Sequence, residues 1–282
     1  MAHLSASSLR LLNFGCGTTF HSAWVNLDGL PASPSVIAHD LETHFPFDEG
    51  SFDAVYGSHV LEHFDSSGAE RLLRDCRRIL KPGGIIRIVV PDLETIARLY
   101  LQCLEGALAG RREDESRYEW MLLELYDQVA RNNPGGQMKR FLAGRLEGDM
   151  ARFVAARVGD EGRALPPEEQ PLAWRVMRRL SLQASSLRET IVRGFAFLVL
   201  GKRGSAAVRE GLFRRSGEIH HWMYDRHSLA KLLQETGFAD ARRCGAGESA
   251  IPGFADFRLE VAEGRERKPD SLYMEARRPA GT

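Results

Sequence analysis

The chain has no net charge: 38 Lys and Arg balance 38 Asp and Glu. That removes the global electrostatic case for nucleic acid as a partner. Cysteine is scarce. Cys16, Cys76, Cys103 and Cys244 stand far apart with no CxxC pair. This spacing excludes a zinc knuckle or a disulfide framework and fits a reducing compartment. No run is long and apolar enough to span a bilayer. Met1 to Ser8 lack the basic and apolar regions of a secretory signal, so a cytoplasmic location is expected. Internal repeats and low-complexity tracts are also missing. The hydrophobic share of 43% allows a full core.

Against these absences stands one dense stretch near the start. Leu11-Leu12-Asn13-Phe14 is an apolar run that stops at Gly15-Cys16-Gly17, and Val25-Asn26-Leu27 ends in Asp28. This reads as a buried strand, a tight turn and a second strand ending in a carboxylate. Glycine lets the turn close and lets a ligand approach the backbone. An Asp at a neighbouring strand end can accept hydrogen bonds from ribose hydroxyls. The pattern predicts a nucleoside-binding site.

Further strands are predicted at 36–39, 52–56 and 85–90, the last a near-continuous apolar run suited to burial on both faces. A helix is predicted over 70–80, with Leu72, Leu73, Cys76, Ile79 and Leu80 on one stripe. Lys81-Pro82-Gly83-Gly84 is its expected stop. This alternation predicts a parallel sheet with crossover helices. From about 93 to 215 the periodicity turns helical, with helices over 92–104 and 118–131. After a helix at 227–236, strands return at 239–244 and 272–276.

The ordered motifs LLNFGCG, VNLDG, HDLE, FPFDEGSFDAVYGSHVLEH, LRDCRRILKPGGIIRIVVPD and LLQETGF closely resemble the class I S-adenosylmethionine-dependent methyltransferases, in their type 11 branch. The resemblance covers about 9–92 and 219–245. It implies an α/β, Rossmann-like, seven-stranded and mostly parallel sheet whose last strand is antiparallel. The core would comprise 1–92 and 219–282, with 93–218 a helical insertion serving as lid and acceptor-binding region. S-adenosyl-L-methionine is the implied cofactor. Gly15 and Gly17 would lie under its methionine part, Asp28 at the ribose, Asp40 and Leu41 at the adenine, and Gly57, Ser58 and His59 near the reacting methyl. Asn13 takes the place of the family's acidic residue that meets the methionine ammonium, and Thr19 that of the third glycine. Gly15 and Asp28 are also closer than the roughly 20 residues expected when a full helix intervenes. The first crossover is therefore expected to be a very short helix or a loop.

An acceptor hydroxyl needs a base, and His59, His63, His220 and His221 are the candidates because histidine titrates near neutrality. His59-Val60-Leu61-Glu62-His63 also matches the H-x-x-E-H pattern of zinc hydrolases. Zinc would need a further ligand, and the string sits at a strand end, so cleft lining is expected and no metal. Asp92 either meets ligand or starts a helix. His220 to Asp225 either pack at a helix entry or close over the acceptor, with Asp225 or His227 near the N-cap. Residues 172–203 hold Arg175, Arg178, Arg179, Arg188, Arg193, Lys202 and Arg203 against Glu189. They read as a solvated helical pair, or as a contact with anionic membrane or a lipid-linked phosphate.

The leading expectation is an enzyme methylating an oxygen or nitrogen of a small-molecule or glycan-type acceptor. The alternative is a non-catalytic S-adenosylmethionine-binding protein that uses its insertion for partner or membrane contact. A nicotinamide dehydrogenase would share the glycine turn, but the KPGG and HVLEH segments count against it.

Overall fold

The structure, a computed structural model, describes residues 9–144, 146–159 and 172–281, the last span without the side chains of 172–189. Strands β1 (Leu11–Phe14), β2 (Val25–Asp28), β3 (Ile37–Ala38) and β4 (Phe52–Ser58) come first. Helix α1 (Ser66–Ile79) leads into β5 (Leu80–Pro91). Five helices follow: α2 (Leu93–Leu108), α3 (Arg112–Ala130), α4 (Gly136–Ala143), α5 (Gly148–Val158) and α6 (Leu172–Arg214). The chain then returns through α7 (Arg226–Glu235), β6 (Ala239–Cys244), the small hairpin β7 (Val261–Ala262) and β8 (Arg265–Glu266), and β9 (Ser271–Arg277).

Seven strands form one sheet in the order β3-β2-β1-β4-β5-β9-β6. Strands β1 to β5 pair in parallel, and β9 runs antiparallel between β5 and β6. This is the doubly wound sheet that the motif order implies, with its helices inserted after β5. The pleat sends alternate residues to opposite faces. Leu12 and Phe14 join a core with Leu72, Leu73, Cys76 and Ile79 of α1 and Leu229 and Leu233 of α7. Leu11 and Tyr56 join a second core on the other face, with Trp24, Ile251, Phe254 and Leu259.

Between β1 and β2, residues 15–24 form turns only, with no helix. The second core explains how the sheet tolerates this. The segment after β6 lies where a crossover helix would pack. Trp24 makes edge contacts with Tyr56, Phe254 and Phe257 at ring separations of 5.4–6.2 Å.

Two local expectations need correction. Helix α1 begins at Ser66 rather than Glu70, because the Asp65 side chain caps it by accepting from Gly68 N. The helix does end before Lys81-Pro82-Gly83-Gly84, but that stretch already belongs to β5, as an irregularity where the register slips between Phe52↔Leu80 and Ala54↔Ile85. Gly83 has φ 79°, and a Cβ on Gly84 would meet Lys81 O at 2.8 Å, so glycine is required there. The run 85–90 also hides a charge. Arg87 is fully buried and paired across the sheet with Glu275 at 3.0 Å. It donates to the carbonyls of Gly245, Ala246 and Glu248 as well, fastening the segment that covers this face.

Helices α2, α3 and α5 share a separate small core of Ile96, Cys103, Trp120, Met121 and Val154, with Met223 of the returning chain packed against it. Its buried Glu124 receives Arg157 at 2.7 Å. Helix α6 breaks at Gly201 (φ 65°, ψ −165°). Ser205 Oγ reaches Arg193 O at 3.5 Å, so the two arms fold back on each other. Among the described residues, no helix is long and apolar enough to cross a membrane.

Candidate functional site

Ligands in an open parallel sheet bind beyond the carboxyl ends of the strands. Here those ends bring together Gly15, Gly17, Asp28, Gly57, Ser58 and His59. Gly15 and Gly17 have φ of 62° and 52°, the left-handed region that favours glycine. A Cβ on Gly15 would come 2.3 Å from Val60, whereas nothing lies within 4 Å of one on Gly17. The loop is thus tight on its inner side and open on its outer side. Asp28 accepts from Gly17 N at 2.8 Å and Leu30 N at 2.7 Å, one bond per oxygen. Each oxygen keeps a second lone pair. An open glycine loop beside a carboxylate with lone pairs to spare fits S-adenosylmethionine.

Asn13 is buried, with 1% exposure. Its Nδ2 donates to Thr19 O and to Asn26 Oδ1, both at 3.1 Å. Asn26 Nδ2 in turn donates to His21 O and Trp24 O. The two amides satisfy carbonyls of a loop that has no helix to satisfy them. Asn13 has this structural task. Gly57 also has one: a Cβ there would lie 2.2 Å from the Phe14 ring. Asp40 closes a turn by accepting from Glu42 N at 2.9 Å, and Leu41 packs on the core. Burial, with Asp28 adding to it, pushes the Cys16 thiol up to about 12, so it stays protonated.

Beyond β4 lies a buried polar cluster. His59 has φ 52°, its amide donates to Val89 O, and its Nε2 lies 2.8 Å from Ser271 Oγ. Its Nδ1 is 3.4 Å from Glu62 Oε1. Glu62 is fully buried and neither carboxylate oxygen has a hydrogen-bond partner. Burial alone would raise its pKa; facing His59, with His220 and His63 beyond, holds it down at about 2. His63 Nδ1 lies 3.0 Å from Ile219 O, and its ring stands 4.8 Å from that of His220. Burial pushes His220 down to about 3 against the pull of Glu62, so it is neutral at ordinary pH and a poor base. His221 is exposed; its amide, with that of Trp222, donates to Glu62 O.

The fold therefore gathers His59, His63 and His220 around Glu62 and leaves the His221 ring outside. Glu62 went unassigned in the sequence. Its signal was present, a carboxylate one residue before His63, but its burial depends on a segment far along the chain. Asp92 is a helix N-cap, accepting from Thr95 N and Thr95 Oγ1 and pairing with Arg243. Asp225 likewise caps α7 in a reciprocal box with Ser228.

Residues 21–88 match the family described as methyltransferase domain. No curated protein matches the chain. Among solved structures, the chain is similar to an S-adenosylmethionine-dependent methyltransferase from Mesorhizobium loti, at 16% identity over 97% of this chain and 92% of that one, with a TM-score of 0.38. It is also similar to the Burkholderia thailandensis 1,6-didemethyltoxoflavin-N1-methyltransferase, at 12% identity over 96% and 71%, TM-score 0.38. A third is the CurJ carbon methyltransferase, at 12% over 98% and 50%, TM-score 0.39. The matched residues carry β2, β3, β4, α1 and most of β5, and over them the chain is similar to methyltransferase domains.

Proposed function

We propose that the protein transfers the methyl group to an oxygen or nitrogen of a small-molecule or glycan-type acceptor, with His59 taking the acceptor's proton. The carrying observation is the pairing of His59 with a buried carboxylate at the end of β4. Bound S-adenosylmethionine supplies a methyl group on a positively charged sulfur. The chain's own residues align and deprotonate. Gly15 and Gly17 admit the methionine part close to the backbone, and Asp28 offers lone pairs to the ribose hydroxyls. Asp40 and Leu41 flank the adenine side, and Gly57 and Ser58 bring the chain to the reacting edge. Glu62 faces the Nδ1 side of the His59 ring at 3.4 Å, and Nε2, which meets Ser271 Oγ at 2.8 Å, is the nitrogen that takes the proton. The helices from α2 onward cover the acceptor and exclude water, so that alignment supplies much of the rate.

The test combines binding and turnover. Calorimetry with S-adenosylhomocysteine should show binding that Asp28→Ala abolishes. His59→Asn, chosen because Asn tolerates positive φ, should keep that binding. Its transfer of labelled methyl into small-molecule and glycan extracts should fall about 10²–10⁴-fold. Unchanged transfer by His59→Asn removes the base assignment. A labelled product methylated on carbon removes the oxygen or nitrogen reading.

A second reading concerns α6. Phe195, Leu198, Val199 and Leu200, beside the break at Gly201, are 62–82% exposed. From 190 to 215, Arg193, Lys202, Arg203, Arg209, Arg214 and Arg215 face a single acid, Glu210. An apolar tip with basic flanks suits the surface of an anionic membrane. Arg175, Arg178, Arg179 and Arg188 lie outside the described side chains. Sedimentation with liposomes should rise with anionic lipid and fall with salt. A double Phe195→Ser, Leu198→Ser variant should stay in the supernatant. Equal sedimentation of that variant, or indifference to lipid charge, ends this reading. The four free, buried cysteines accord with a cytoplasmic face.

A further inference from the structure

We infer that Glu62, His63 and His220 form a binding site for a divalent zinc-type ion that ties the turn after β4 to the segment returning from the helical insertion. One donor atom from each of the three lies within 4.8 Å of the others. Zinc bonds of about 2.0–2.1 Å set donors roughly 3.3 Å apart, a difference that side-chain rotation closes. The sequence pattern lacked a third protein ligand in reach. His220 supplies it from the far side of the insertion.

Three features point to a cation. Both oxygens of Glu62 are buried without a hydrogen-bond partner. A carboxylate in that condition is costly, and His59 at 3.4 Å faces only one oxygen. His63 directs Nδ1 at the Ile219 carbonyl. That carbonyl can only accept, so Nδ1 carries the proton and Nε2 the lone pair, the arrangement by which metal-binding histidines are oriented. The set of two imidazoles and one carboxylate is the borderline donor mix that zinc prefers over magnesium or calcium.

The backbone already links the same two segments. His221 N and Trp222 N donate to Glu62 O at 2.7 and 3.2 Å, and His220 N donates to Gln128 O. A metal bridge here fixes where the insertion re-enters the core, beside His59. The proposal stands apart from the methyl-transfer reading, because metal content is measured without turnover.

The experiment uses untagged full-length protein, incubated with Zn²⁺, desalted and submitted to elemental analysis. One zinc per chain is expected, with a rise in melting temperature that chelator reverses. Glu62→Gln and His220→Asn should each reduce zinc at least tenfold, while His227→Ala, at an exposed histidine, should retain it. Should either site variant fail to fold, the wild type still decides. Loaded with Co²⁺, it should show the visible absorption of a four-coordinate ion, displaced by Zn²⁺. Less than a tenth of an equivalent of zinc in the wild type overturns the proposal. Full retention in both folded variants overturns it too.

Discussion

Asn13 Nδ2 lies 3.1 Å from Asn26 Oδ1, and this buried pair joins β1 to β2 while both side chains reach up to hold the loop between them. The position where the family's pattern has an acid needs a donor in this chain. Asn13→Asp should therefore not tighten cofactor binding. It removes two donated bonds and sets a carboxylate against two oxygens. A loss of about 1–3 kcal/mol is expected, read from urea denaturation. A variant as stable as the wild type would disprove this account.

The glycine loop makes a paired prediction. Gly15→Ala and Gly17→Ala both force a side chain to positive φ, which costs about 1–2 kcal/mol. Only Gly15→Ala also drives a Cβ to 2.3 Å from Val60. It should be the more destabilised of the two by denaturation and the weaker binder of S-adenosylhomocysteine. Equal losses would show that Val60 does not shape the loop.

Arg87 and Glu275 should behave as a buried pair. Arg87→Met takes from Glu275 its buried cation, leaving it Arg242, Ser249 and Ala250, and strands three loop carbonyls, at an expected cost of about 3–5 kcal/mol. Adding Glu275→Met should restore part of that stability. If the double variant is no more stable than the sum of the single losses predicts, the pair is not the source of the effect.

Asp75 should contribute to acid sensitivity. Its burial raises the pKa, but Arg78 at 2.6 Å, the Phe45 amide and His44 outweigh this and hold it below the usual carboxylate value. The unfolded chain then binds the proton more readily. The stabilisation is complete above the unfolded pKa of about 3.9 and disappears as pH falls through the lower folded value. Denaturation midpoints between pH 5 and 2 should fall less steeply for Asp75→Asn than for the wild type. Parallel curves would exclude this role.

The sheet was legible because its strands are short apolar runs with turn residues between them, and because the glycine turn and Asp28 mark two strand ends. What escaped was long-range. Arg87 stands inside a near-continuous apolar run with no local sign of its role, since its partner Glu275 and the loop it binds come from the end of the chain. Asn13 looked like a departure from a pattern, whereas with Asn26 it compensates for the helix missing at 15–24. The histidine cluster was half visible as H-x-x-E-H. No local pattern could show His220 arriving beside it.

The loop at 15–24 lies under Phe254 and Phe257, residues from nearly the other end of the chain. During synthesis, the parallel half of the sheet is made first, yet one of its two faces stays bare until those rings have emerged. Such distant contacts slow folding and leave apolar surface exposed meanwhile. A chain halted before Ile251 would thus carry both glycines of the turn after β1 and still present Trp24 and Tyr56 to water, a species prone to capture by chaperones.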